Sequence, residues 1–152
     1  MISKLSDLAS FSNGEKATFS EHGLYKVFGS NGPIGYSNLF NRTGPSIVIG
    51  RVGANAGSVR FTHHNIWATD NTITLTNIKD SILPYFLFLV VENLDFNRMT
   101  GGSAQPLINR DILDSQKFTI PSLAIQRKVL DIIQTLDIMI TLKNQINDNL
   151  VA

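Results

Sequence analysis

Histidine has the widest chemical repertoire of any residue in this sequence, because imidazole can bind a metal, carry a proton or contact a phosphate. His63 and His64 are adjacent, so in an extended segment their side chains would point to opposite faces. His22 is the only other histidine, and residues 24–64 contain no carboxylate that could complete a metal site. Cysteine is absent, which excludes thiol catalysis and cysteine-based metal sites. The sequence therefore predicts no metal site.

A glycine-rich segment, GRVGANAGS at residues 50–58, is the next candidate for chemistry. It lacks the lysine of a phosphate-binding P-loop and does not have the GxGxxG spacing of dinucleotide-binding proteins. Its glycines stand beside strand-forming residues, and this pattern predicts a bulged turn where two backbones approach closely. There is no GxSxG nucleophile motif and no local pair of candidate catalytic carboxylates. The sequence thus predicts a non-catalytic protein with no cofactor.

The distribution of charge is more informative than the total. The formal net charge is only +1, yet residues 24–64 contain Lys26, Arg42, Arg51 and Arg60 and no Asp or Glu. A basic stretch within a nearly neutral chain is typical of a surface that faces phosphates. Charge alone leaves a chance excess in a short window as the alternative.

The elements that must position these residues follow from the sequence pattern. Residues 3–11 predict a short helical turn, and short β-favouring runs alternate with Gly, Asn, Ser and Pro clusters from Leu24 to Asn77. Residues 82–96 predict a helix with Pro84 in its first turn, Asn109 can cap another short helix, and residues 117–121 predict a last strand. The expected fold is α+β, a small irregular mixed β-sheet domain with short helices, at residues 1–121.

No membrane segment is expected. The most apolar run, residues 82–91, has about half the ~20 residues that a membrane-spanning helix needs, so it is interpreted as a buried helix. The N-terminus has no continuous apolar core of the kind that a secretory signal requires. We therefore expect a cytoplasmic protein.

Residues 122–152 predict one long helix, because residues 123–151 contain no Gly or Pro and Ser122 can serve as its N-cap. Apolar residues recur in steps of four and three, which is typical of a coiled-coil seam. A domain that lies at one end of the helix cannot bury so wide an apolar face, so the helix is expected to pair with another helix. The alternative is that it packs along its own domain. The predicted seam consists of Ile125, Val129, Ile132, Leu136, Met139, Lys143, Ile146 and Leu150.

Four stretches taken together resemble the specificity subunits of type I restriction-modification systems. They are LYKVFGSNGPIGYS (24–37), PSIVIGRVGANAGSVRF (45–61), GGSAQPLINRDIL (101–113) and FTIPSLAIQRKVLDIIQTLD (118–137), in the order of the family. The last stretch departs slightly, because the family usually has paired prolines and acidic residues before the glutamine. The resemblance implies a target-recognition domain that reads half of a two-part DNA site, followed by a conserved helix.

A usual subunit of that family carries two such units, whose helices pack antiparallel. With one domain and one helix, this chain resembles half a subunit, which a second copy or another specificity half would complete. A two-fold homodimer implies a palindromic bipartite target in double-stranded DNA. The resemblance also implies methyltransferase partner subunits and, through them, a restriction subunit. Two alternatives stay open: a coiled-coil protein-interaction module that does not read DNA, and an inactive remnant of a larger specificity subunit.

Candidate DNA-binding residues form two groups, the polar and basic side chains of the acid-free loops in residues 24–64 and those around a second glycine-rich link, TGGSAQP at residues 100–106. We favour Arg42, Arg60, His64 and Asn65 for base-specific contacts, because phrases shared across the family are expected to shape the domain while its members read different sequences. Asn97 lies beside the second group. The full set of candidates is Lys26, Ser30, Asn31, Tyr36, Arg42, Arg51, Asn55, Ser58, Arg60, His64, Asn65, Arg98, Ser103 and Gln105.

Overall fold

The computed structural model of the protein describes residues 2–54, 56–100 and 106–151, without the side chains of Asn97 and Val151. The chain divides into two compact units, Met1–Ile120 and Pro121–Ala152, which we call the globular unit and the helical unit. The described elements are β1 (Ile2–Lys4), α1 (Leu5–Leu8), β2 (Ser10–Asn13), β3 (Tyr25–Gly29), β4 (Gly32–Ser37), β5 (Ser46–Gly50), β6 (Val59–Thr62), β7 (Trp67–Ala68), β8 (Thr72–Thr76), α2 (Pro84–Glu92), α3 (Phe96–Met99), α4 (Arg110–Asp114), β9 (Lys117–Thr119) and α5 (Leu123–Val151).

The globular unit is built on small sheets. A four-stranded antiparallel sheet has the order β2-β8-β5-β6, and a three-stranded mixed sheet has the order β4-β3-β7, in which β3 and β7 run parallel. Strand β1 pairs with β9, so the beginning and the end of this unit are joined. The α+β class expected from the sequence, with an irregular mixed sheet and short helices, is confirmed.

Strand β5 is buried along its whole length and separates two apolar layers. Because side chains alternate along a strand, Ile47 and Ile49 face one side, where they join the main core with residues of α1 and α2. Val48 faces the other side and packs with Phe28 and with Ala68 of the three-stranded sheet. Helices therefore cover one face of the four-stranded sheet and the smaller sheet covers the other.

The ends of the short helices follow the sequence signals. Pro84 occupies the first turn of α2, and the Asn109 side chain accepts a hydrogen bond of 2.9 Å from the Ile112 backbone N–H at the start of α4. The helix predicted at residues 82–96 is divided, because α2 ends at Glu92 and the Asp95 side chain caps a separate helix, α3.

The helical turn predicted at residues 3–11 is wrong at both ends. Only Leu5–Leu8 are helical, and strands flank them on either side. Leu5 and Leu8 have helical spacing and are both buried. Phe11 instead lies in β2 opposite Leu75 of β8, so pairing with a distant strand overrides the local pattern there.

The helical unit contains one helix of 29 residues, as the sequence predicts. It begins directly after Ser122, whose carbonyl accepts the first helical hydrogen bond, 3.0 Å long, from the Gln126 N–H. The side chains of Ile125, Ile132, Leu136, Met139, Ile146 and Leu150 are each between 51% and 79% exposed. Six of the eight predicted seam residues are therefore exposed apolar side chains among the residues that the structure describes. Within the described part of the chain, no helix is both long and apolar enough to cross a membrane.

Candidate nucleic-acid interface

A cavity of about 440 Å³ opens between the β3–β4 hairpin and the end of β6. Its base is apolar, because Phe28 and Ile66 are 5% and 1% exposed, whereas Lys26, Tyr36 and both adjacent histidines stand exposed at its rim. We call it the hairpin cavity. It is lined by Leu24, Lys26, Phe28, Tyr36, Phe61, Thr62, His63, His64, Asn65 and Ile66.

The hairpin presents two of the predicted residues side by side. Lys26 of β3 lies directly opposite Tyr36 of β4 in the antiparallel register. Side chains of such a cross-strand pair share one face of the sheet and have Cβ atoms about 5 Å apart. Further hydrogen bonding holds this end of the hairpin, since the Tyr36 carbonyl accepts from the Ser20 N–H at 2.9 Å. An ammonium group and a phenol therefore reach the same side of the cavity.

A tight turn after β6 supplies the opposite wall. The Thr62 hydroxyl accepts a hydrogen bond of 3.1 Å from the His64 N–H, and the Asn65 Oδ1 accepts one of 3.3 Å from the Gly44 N–H. Since residues 63 and 64 bend rather than extend, both histidines line the same cavity. The extended backbone on which the opposite-face expectation depended is therefore not present at residues 63 and 64.

An aromatic cluster packs against His63, and this cluster was not predicted from the sequence. The Phe61 ring lies edge-on to the His63 ring with centroids 4.7 Å apart. Phe61 also contacts Tyr85 and Phe88 of α2, at centroid distances of 5.2 and 5.8 Å. The phenylalanine and α2 come together only in the folded chain, so their local sequence carries no signal for this contact.

Arg60 and Asn31 continue the same surface beyond the cavity. Arg60 is exposed on β6, where a Cβ added to Gly32 would stand 3.4 Å from its Nε, so its side chain lies beside the hairpin turn. Asn31 is exposed within that turn. Arg60 and Thr62 are two residues apart on one strand, so they face the same side about 7 Å from each other. The arginine therefore lies on the surface that contains the cavity.

Two predicted residues, Ser30 and Ser58, hold the loops together instead of pointing outward. The Ser30 hydroxyl donates to the Val52 carbonyl at 2.7 Å, and the Ser58 hydroxyl donates to the Ser30 carbonyl. Gly50 allows this approach, because a Cβ at that position would overlap the Ser30 carbonyl oxygen. The close backbone approach predicted for the segment GRVGANAGS is confirmed at Gly50.

Arg42 is committed to hydrogen bonds within its own domain. Its Nε donates to the Thr74 hydroxyl at 2.8 Å, its Nη1 donates to the Asn41 carbonyl at 2.6 Å, and its Nη2 donates to the Asn13 carbonyl. These bonds join three separate segments of the chain. They give Arg42 a structural role, and its base-specific role stays a prediction.

The remaining candidates lie elsewhere. The Nε of Arg51 is buried and has no hydrogen-bond partner among the described residues, while its backbone bonds Asn71 and Ile108. Arg98 is exposed on α3. Predictions for Asn55, Ser103 and Gln105 fall outside the described residues, and so does the side chain of Asn97. Within the described ranges, no group of three His, Asp or Glu side chains could hold a metal ion.

The sequence of the whole chain, residues 1–152, matches the model of the family described as the type I restriction modification DNA specificity domain. The chain therefore belongs to this family, as its resemblance predicted. A curated relative, the type I restriction enzyme EcoprrI specificity subunit of Escherichia coli, is 28% identical over 125 residues, which are 82% of this chain and 30% of the relative. The chain thus spans about a third of that relative's length.

Solved structures agree in fold. The S subunit of a type I restriction-modification system from M. genitalium gives a TM-score of 0.74 at 18% identity, covering 90% of this chain and 38% of the other. The HsdS subunit from Thermoanaerobacter tengcongensis gives a TM-score of 0.68 at 14% identity, covering 93% and 38%. A chain from a structural study of complex assembly in the type I system gives 0.75 at 14% identity, covering 93% and 39%.

Proposed function

We propose that this chain reads DNA sequence for a type I restriction-modification system and recognises one half of a bipartite site. One observation carries the proposal: the hairpin cavity and Arg60 form a continuous exposed surface with cations and polar groups on it. Acidic residues are absent from the whole segment, residues 24–64, that builds this surface. Such a surface attracts the DNA backbone and offers donors to base edges.

The proposed contacts fall into two groups, those to the phosphate backbone and those to the base edges. Lys26 is a flexible point charge at the cavity rim, which suits a phosphate. Arg60, His64 and Asn65 are the residues that we assign to base edges, with Tyr36 and Asn31 beside them. Arg42, Ser30 and Ser58 maintain the shape of the loops through the internal hydrogen bonds described above.

The exposed face of α5 supports pairing with a second copy of the chain. The seam residues alternate between the two core positions of a heptad, a and d. In an antiparallel pair each a position faces a d position of the partner, and one register places all eight seam residues in such pairs. Ile125 then faces the partner's Leu150, Val129 faces the partner's Ile146, and Leu136 faces the partner's Met139. The midpoint falls between residues 137 and 138, so the two helices overlap along almost their full length.

Lys143 favours this orientation. In a parallel pair in register, every seam residue meets its own copy, which would bring two lysine ammonium groups together inside the interface. The antiparallel register places Lys143 opposite the partner's Ile132, where the aliphatic stem can pack and the ammonium can reach water. Ile133 and the partner's Ile140 also meet beside the seam. A two-fold pair of reading domains implies a palindromic bipartite target.

In this proposal the catalytic steps belong to other subunits. Methyltransferase subunits bind the assembled pair, and a restriction subunit joins through them. Ile138 lies outside the seam and is 54% exposed, so it can contribute to such docking.

A selection from randomised duplex DNA tests the proposal, with this chain assembled on its methyltransferase subunits. We expect a palindromic motif with two short specific halves and a fixed unspecific spacer. Affinity should fall steeply with added salt, and Lys26→Ala should reduce the slope of log affinity against log salt by about 1. An assembled complex without sequence preference, or with salt-insensitive binding, would contradict the proposal and favour a protein-interaction module.

A further inference from the structure

We propose that the hairpin cavity binds a single nucleobase that has left the DNA stack. This inference rests on the proposed function and deepens it by naming the ligand of one part of the surface. Its volume, about 440 Å³, lies within the ~300–1,000 Å³ typical of small-molecule sites. A surface that only followed the grooves of a duplex would not need such a concave feature.

The walls of the cavity match the face of a base. Phe28 and Ile66 form its apolar base, and the exposed aromatic side chain of Tyr36 lines one side. Aromatic rings bind unstacked bases through their faces, whatever the base. A base within a duplex offers only its edges to a protein, because its faces are covered by its neighbours. The aromatic wall therefore becomes useful only for a base that has turned out of the helix.

The polar side of the cavity offers donors to the edge of the base. The Asn65 Oδ1 already accepts from the Gly44 N–H, so the side-chain amide can contribute its two N–H groups to a ligand. Tyr36 adds a phenolic hydroxyl at the opposite wall. This arrangement suits a base with a carbonyl oxygen or an unprotonated ring nitrogen on the edge that enters.

Positive charge and hydrogen-bond donors at the rim suit the phosphate of the same nucleotide. Lys26, His63 and His64 surround the opening, and residues 24–64 contribute no carboxylate that would repel an anion. The wall that carries the histidines is also held in advance, because the backbones of Arg42 and Ile66 exchange hydrogen bonds of 3.1 and 3.0 Å behind it. A site that is already ordered loses little entropy when the ligand enters.

Nuclear magnetic resonance titration of the full chain with each deoxynucleoside monophosphate tests this inference without knowledge of the target sequence. We expect saturable shifts of the Asn65 side-chain amide and of the His63 and His64 ring protons. Tyr36→Ala should weaken this binding about tenfold, since it removes an aromatic wall. Lys79→Ala, which changes an exposed lysine away from the cavity, should leave the affinity unchanged.

Inorganic phosphate is the decisive comparison. Equal shifts with phosphate alone would identify an anion site and overturn the inference. Binding of duplex DNA without any shift from the four nucleotides would also overturn it, while leaving the proposed function intact. Once the target is known, 2-aminopurine placed at each position in turn provides a second measurement. Its fluorescence should rise at one position on binding, and should rise less with Tyr36→Ala than with Lys79→Ala.

Discussion

The side-chain amide of Asn41 bonds both backbone groups of Ala68, accepting from the Ala68 N–H at 2.7 Å and donating to the Ala68 carbonyl at 2.9 Å. The side chain thus acts as one more backbone unit beside β7, which is only two residues long. This bond anchors the segment that continues through Arg42 to Gly44, whose backbone supports the wall of the hairpin cavity.

Asn41→Ala should lower the free energy of unfolding by about 1–3 kcal/mol, because the Ala68 N–H is left without its partner in a buried position. Urea denaturation followed by circular dichroism measures the change. Asn38→Ala is the matched control, since the Asn38 amide makes an exposed bond to Ser20 and its loss should cost no more than about 0.5 kcal/mol. Equal effects of the two variants would contradict the role given to Asn41.

Arg42→Ala and Arg60→Ala should separate structural from DNA-binding arginines. Loss of the Arg42 guanidinium removes hydrogen bonds to three segments, so stability should fall by about 1–3 kcal/mol. Loss of the exposed Arg60 side chain should leave stability almost unchanged and weaken DNA binding by about 1–3 kcal/mol. Denaturation and DNA titration of both variants measure the two effects. A stable Arg42→Ala variant with impaired DNA binding would reverse the assignment.

Leu136→Glu should convert the proposed dimer into a monomer, because it places two carboxylates at the centre of the predicted interface. Sedimentation equilibrium measures the change. Gln134→Glu adds the same charge at an exposed position outside the seam, and it should leave the dimer intact. An unchanged mass for Leu136→Glu would show that the seam is not the interface.

Cross-linking should report the orientation of the two helices, since the natural chain has no cysteine. Val129→Cys and Ile146→Cys chains, mixed and oxidised, should form a disulfide between the two different variants in the antiparallel register. Each variant alone should remain uncrosslinked, because its two copies are separated by roughly 25 Å along the pair at 1.5 Å per residue. Efficient cross-linking of Val129→Cys with itself would indicate a parallel pair.

Asp114 should make the stability of the globular unit weakly dependent on pH in the acidic range. Its carboxylate accepts a hydrogen bond of 2.9 Å from the Ser6 N–H, and bonds from the Ser6 side chain and backbone hold the Asp114 pKa below its ordinary value. Because the pKa of Asp114 is lower in the folded chain than in the unfolded chain, its ionised carboxylate stabilises the fold at pH values above the unfolded-state pKa. This contribution is lost as the pH falls through the folded-state pKa. Between pH ~5 and ~3, the urea midpoint should therefore fall further for the natural chain than for Asp114→Asn. The difference should be modest, because this carboxylate is largely open to water.

The sequence predicted local features well and long-range contacts poorly. The Asn109 cap and the start of α5 after Ser122 depend on residues a few positions apart, and the structure has both where they were expected, whereas the seam of α5 stays a prediction. Four of the predicted DNA-binding residues, Lys26, Tyr36, His64 and Asn65, line the hairpin cavity, although the sequence predicted no cavity. Arg42 has a structural role that the sequence did not predict, because its acceptors Asn13 and Thr74 are distant in sequence. The contribution of Phe61 was missed for the same reason, since it depends on how α2 packs against β6.

The hydrogen bonds of Ser58 and Ser30 have a consequence for how such a protein changes over generations. They fix the hairpin loop through groups that do not face the open surface, whereas Asn31 and Arg60 are exposed, and the Arg60 Nη1 donates to the carbonyl of the neighbouring Val59 at 3.0 Å. Substitution at an outward position therefore alters what is contacted without refolding the loop. Under the proposed function, new target sequences would be acquired one residue at a time on an unchanged loop framework, and in the proposed symmetric pair every substitution would alter both halves of the site.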